Sequence, residues 1–126
     1  MPKIREQDRA LSAQKTVTAR KDSGGKEYRQ ELQQLPSRIL ASGLGQTLAF
    51  YASKGKGSIH KDIGDDLAKY LTEGKIRDIV DFLNQIMKGT TAEYRQMTRQ
   101  ALAYAEWLKR YSKALIPDDP GRGDTA

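Results

Sequence analysis

The chain has 126 residues, 30% of them charged, a formal net charge of +6 and no cysteine. The missing cysteine excludes disulfides and thiolate metal sites, and the length suits one domain with one core. No segment approaches the roughly 20 apolar residues that span a membrane, and Met1-Pro2-Lys3-Ile4-Arg5-Glu6 has no apolar run for a signal peptide. The sequence reads as a soluble, cytoplasmic protein with no membrane partner.

The pattern is helical almost throughout, so the expected fold class is all-α: a compact bundle of about six helices around a buried central helix. Lys3 to Lys21 lacks Gly and Pro and carries a narrow apolar stripe of Ile4, Leu11, Val17 and alanines. Asp22-Ser23-Gly24-Gly25 breaks this first helix. A short second helix follows from Lys26 to about Gln34, and Pro36 closes it or opens the next. The third helix, about residues 36–54, is the expected hub. Leu40, Leu44, Thr47, Leu48 and Tyr51 fall on one side of it, and Ile39, Gly43 and Phe50 on a second. Gly43 and Gly45 each cost a helix about 1 kcal/mol relative to alanine, which points to another element pressing close there.

Lys54-Gly55-Lys56-Gly57-Ser58 is a basic, glycine-rich loop. The fourth helix shows Ile59, Ile63, Leu67, Tyr70 and Leu71 and ends at Gly74. The fifth shows Ile76, Ile79, Val80, Leu83, Ile86 and Met87 and stops near Gly89. Thr90 and Glu93 fit a capping box, from which the last helix runs to about Leu115. Its buried face is Tyr94, Met97, Ala101, Tyr104, Ala105, Leu108, Tyr111 and Leu115. Residues 1–116 thus form the expected single domain, and residues 117–126 a flexible tail.

Few residues suggest catalysis. His60 is the only histidine and lacks companion ligands for zinc. Asp65 and Asp66 are adjacent on a helix and point about 100° apart, so they do not converge. The basic loop lacks the glycine, lysine and hydroxyl spacing of a phosphate loop. A helix-turn-helix over residues 59–88 is a poor groove reader, because its second helix presents Asp78 and Asp81 against Lys75 and Arg77. No catalytic residue, metal or cofactor is expected.

The charge is more informative. Residues 1–61 carry twelve basic and five acidic side chains, and residues 62–126 ten and eleven. A basic half beside a balanced one suggests a polyanionic partner on one side. On the last helix, Arg95, Arg99, Arg110 and Lys113 form a ridge opposite the core stripe, with Lys109 at its flank. Leu102 points toward this ridge and Trp107 sits at the edge of the core stripe, the mixture of a contact surface.

Two stretches then carry a family likeness. One is Tyr28-Arg29, Leu35-Pro36, Ile39, Gly43-Leu44-Gly45-Gln46-Thr47-Leu48-Ala49-Phe50 and Ser53-Lys54. The other is Glu93-Tyr94-Arg95, Thr98, Ala101-Leu102 and Trp107-Leu108-Lys109-Arg110. Together they resemble the small all-helical subunit of the type III-B CRISPR–Cas effector, the Cmr complex, over about residues 26–115. The resemblance implies a subunit that is not itself a nuclease. It implies copies stacked head to tail along a filament with the other subunits, helping to form the groove for guide and target RNA. The expected contacts to the RNA backbone are Arg29, Arg38, Lys54, Lys56, Arg95, Arg99, Lys109, Arg110 and Lys113. The alternative is a helical assembly module whose basic ridge meets acidic protein surfaces.

Overall fold

The structure, a computed structural model, describes residues 6–117; the tail expected at residues 117–126 lies almost wholly outside the described residues. All regular structure among them is helical: α1 (Glu6–Ser53), α2 (Ile59–Leu71), α3 (Ile79–Lys88) and α4 (Thr91–Leu115). The expected count of about six is not reached, because α1 joins what the sequence pattern separates into three. It is helical over 48 residues except at Gly25 (φ 54°) and Gly43 (φ 86°). Both have a left-handed φ that side chains with a Cβ disfavour, and the chain kinks there instead of stopping. Pro36, expected at a helix end, lies buried inside α1. It forfeits one backbone hydrogen bond, and its burial in the core works against that loss.

The kinks let separate parts of α1 pack along the same partner, α4. Ser12 and Thr16 hydroxyls meet the Tyr104 phenol at 3.2 and 2.8 Å. Farther on, the Gln33 amide donates to the Ser112 hydroxyl at 2.8 Å, and the Gly45 N–H donates to the Tyr94 phenol at 2.8 Å. α1 therefore supplies the largest share of the core, from Ala13 and Val17 through Tyr28, Leu32 and Leu35 to Leu44, Leu48 and Tyr51. No single buried rod spans residues 36–54. Gly43 breaks the helical phase, so residues on its two sides do not share one face, and Leu40 is 70% exposed. Leu11, expected in the stripe of the first helix, is 54% exposed, while Ala13 and Val17 are fully buried.

The close approach expected around Gly43 and Gly45 is present. A Cβ on Gly45 would lie 2.5 Å from Met87 Cε and 3.2 Å from the Tyr94 phenol oxygen. Tyr94 also accepts the Gly45 N–H that the break at Gly43 leaves without a helical partner. Tyr94→Phe leaves that donor unmatched and is expected to cost about 1–3 kcal/mol, measured as a lower urea midpoint with an unchanged slope.

α2 and α3 begin on side-chain caps. Ser58 Oγ accepts from Lys61 N at 3.0 Å. Asp78 accepts from Val80 N and Asp81 N at 2.8 and 3.3 Å, which starts α3 at Ile79 rather than at Ile76. Asp78 is thus a cap, not an outward acid of the helix, and the amides of Asp81 and Val80 hold its carboxyl below the usual carboxylate range. Asp65 accepts from Ile79 N at 2.8 Å and pairs with Lys61 at 3.0 Å, while Asp66 faces Arg20. The two neighbouring carboxylates diverge as helix geometry requires. α4 opens on the expected capping box, with Thr90 and Glu93 bonded reciprocally.

Candidate nucleic-acid interface

Two cationic surfaces emerge from this frame. The first is the outer face of α4. Its inner stripe, Ala101, Tyr104, Ala105 and Leu108, is fully buried, which fixes the opposite face toward solvent. Arg95, Arg99, Arg110 and Lys113 are all exposed there. None makes an ion pair with any described residue. From Arg95 to Lys113 the ridge extends about 27 Å at about 1.5 Å per residue. Lys109 is half-buried at its flank, and its carbonyl accepts from Gln33 at 3.2 Å. Leu102 is not a free apolar contact beside the ridge, because it packs against the core. Trp107 is likewise engaged: its indole N–H donates to Glu6 at 2.7 Å, and its ring stacks with Tyr111 at 5.8 Å between centroids.

The second surface is the corner where α1 runs into the basic loop. Gly55 and Gly57 both have a left-handed φ, and Ser58 Oγ ties the loop back to Gly55 O at 2.8 Å. Lys54 and Lys56 lie on this loop, at and just past the end of α1. Phe50 is the centre of the corner: the Arg38 guanidinium stands 5.0 Å and the Lys54 ammonium 4.8 Å from its ring centroid. Each such contact contributes on the order of 0.5–1 kcal/mol at an exposed site.

Beneath Phe50 lies a polar cluster that the sequence does not announce. Glu31 is buried at 7% exposure. It accepts from Arg38 Nε at 2.5 Å and from the Tyr51 hydroxyl, and His60 Nε2 approaches to 3.4 Å. The hydrogen bond to Glu31 raises the Arg38 pKa further, so Arg38 stays charged; burial first, and then the bond to Glu31, raises that of Tyr51. Arg38 is therefore ion-paired within the chain, its charge matched by Glu31. His60 is not simply on a helix surface. Its side chain is 22% exposed and sits edge-on to Tyr51 and Phe50, at 5.5 and 6.0 Å between centroids. Only one sequence signal points here: Glu31 and Arg38, seven apart, share a helical side. Tyr51 and His60 join across elements, which spacing does not show.

Arg29 is half-buried and engaged within the chain. Of the nine expected RNA contacts, the structure gathers Arg38 and Lys54 over Phe50 and aligns four on α4. No described contact joins the corner to the ridge. The described residues hold no group of three or more His, Cys, Asp or Glu that could bind a metal. No described helix is long and apolar enough to cross a membrane.

The family model for the CRISPR-associated protein Cas_Cmr5 matches residues 5–115. The chain belongs to the Cmr5 family. The CRISPR system Cmr subunit Cmr5 of Thermus thermophilus is 38% identical over 105 residues, which is 83% of this chain and 89% of that protein. The crystal structure of a Cmr5-family protein from the same organism superposes with a TM-score of 0.78 at 37% identity, covering 90% of this chain and 98% of that one. Both likenesses extend over most of the helical part, and the family match, beginning at residue 5, takes in α1 as well as the two stretches that first carried the resemblance.

Proposed function

We propose that this Cmr5-family chain is a non-catalytic structural subunit of a cytoplasmic Cmr ribonucleoprotein. Copies stack along the filament with the other subunits and lend positive charge to the groove that holds guide and target RNA. The helical residues act as a single domain that runs to about residue 116. The observation that carries the reading is the α4 ridge, four exposed cations with no ion pair to any described residue, on one face of a helix whose other face is core. A row of cations on a rigid rod suits phosphate and carries no base code, so affinity comes from charge while base pairing supplies sequence.

A second reading, an assembly module without RNA contact, draws on a different feature. Leu40, Val80 and Met87 are exposed, and Ile86, Tyr94 and Met97 line an open groove of about 630 Å³ between α3 and α4. Apolar side chains beside a groove favour a protein contact. The decisive measurement is RNA affinity across a salt series, for the isolated chain and for the assembled complex with and without it. With about four or five phosphate contacts, log affinity against log salt slopes near −3 on a single strand. Salt-insensitive binding in both settings, with normal incorporation of the subunit, rejects the RNA reading in favour of assembly.

A further inference from the structure

Next to the Phe50 corner, Glu27, Gln30, Gln34, Ile59 and His60 line an open pocket of about 500 Å³. Its chemistry is not that of a phosphate site, because the wall is made of amides and carboxylates. The Gln30 and Gln34 side-chain amides make no hydrogen bond to any other described residue. Each offers an N–H pair and a carbonyl oxygen. Glu31, which also lines the pocket, is engaged by Arg38 and Tyr51, so it presents a matched charge rather than a free one. Ile59 supplies aliphatic surface. The His60 ring supplies a flat face, held in orientation by Tyr51 and Phe50. The cations of the loop, Lys54 and Lys56, belong to the segment that leads into His60.

Free amides, a flat ring and an aliphatic patch beside the Glu27 carboxylate, with Arg38 paired to Glu31 and the other positive charge on the neighbouring loop, match one nucleotide in cross-section. The base has a face to stack and an edge rich in donors and acceptors, and its phosphate lies outside the pocket. A paired base cannot present itself this way, whereas one turned out of its stack can. We propose that this pocket receives a single unstacked base of RNA, with the adjoining phosphate held by Lys54 and Lys56. The inference rests on the RNA reading above and assigns to the corner a role different from that of the α4 ridge: the ridge holds backbone, the corner holds a base.

The test compares two strands of equal length and charge, an oligoadenylate and the same ribose-phosphate backbone without bases. Each is titrated with the full chain by fluorescence anisotropy. One stacked base changes affinity about 5- to 150-fold, so the adenylate is expected to bind roughly tenfold tighter. Gln30→Ala with Gln34→Ala brings the adenylate down to the abasic level and leaves the salt slope unchanged. His60→Ala does the same, and the glutamine pair keeps the test valid if that variant loses its fold. Lys54→Ala with Lys56→Ala weakens both strands equally. Equal binding of the two strands by the native chain overturns the pocket while leaving the RNA reading intact, as does a preference that survives the glutamine substitutions. Absence of binding to either strand overturns both.

Discussion

Replacing Arg95, Arg99 and Arg110 together with glutamine lowers RNA affinity about a hundredfold at 0.1 M salt. Each phosphate contact on a single strand contributes about 0.7 to the slope of log affinity against log salt. Referred to 1 M salt, that is about 0.7 log unit, or fivefold, per contact at 0.1 M, and three contacts multiply to about a hundredfold. The slope itself becomes shallower by about 2. The folded state is expected to tolerate the change, because all three side chains are exposed and none is ion-paired within the described chain. Circular dichroism and a urea titration check that tolerance, and a salt series checks the binding. Normal RNA affinity combined with loss of the subunit from the complex moves the ridge to the assembly reading.

The largest effect on stability is expected at Arg20. Its guanidinium makes two bonds to the Asp66 carboxylate, 2.7 and 2.8 Å long, and lies 3.5 Å from Asp62. Asp66 is buried at 8% exposure. Its carboxyl is pushed up by that burial even though Arg20 pulls the other way, while the bond to Asp66 raises the Arg20 pKa. Desolvation thus dominates at the buried acid and the hydrogen bond at the more open base. Arg20→Ala removes the compensation and leaves the desolvation, at a cost of about 3–5 kcal/mol. The deficit depends on pH. An unpartnered buried carboxyl has a folded pKa above its unfolded value near 3.9, so the loss is complete above the folded pKa and shrinks as pH falls toward the unfolded one. Arg20→Met with Asp66→Leu restores most of the stability, since an apolar pair avoids desolvation altogether. Urea unfolding of the three proteins at neutral pH and near pH 4 measures both effects. A single substitution costing less than about 1 kcal/mol contradicts the account.

The sequence exposes this fold where signals are local. Thr90 and Glu93 mark the start of α4, and its apolar stripe marks the buried face, because capping and helical period are written within a few residues. α2 is legible for the same reason. α1 is harder. Gly25 and Gly43 look like a terminator and a mid-helix cost, and only tertiary packing decides that each is a kink in a continuing helix. Pro36 misleads in the same way, as packing overrides a propensity that ends most helices. The α4 ridge follows from period alone, whereas the status of Arg38 does not. Its pairing with Glu31 is within reach of spacing, but the cluster of Tyr51 and His60 around the buried Glu31 is not. The Gln-lined pocket is invisible for a related reason: most of its lining residues come from neighbouring turns of α1, and the base-facing ring comes from the start of another helix.

The pairing of the first turns of α1 with α4 has a consequence for how the protein comes into being. Ser12, Thr16 and Glu6 meet Tyr104 and Trp107 across separations of 92, 88 and 101 positions. Tyr104 and Trp107 must leave the ribosome before those pairings can form. Until then the leading segment, with Ala13 and Val17 uncovered, waits as a nascent helix without a place to dock. Closing so long a loop costs entropy that late contacts repay, so the first turns of α1 find their place only once α4 has arrived.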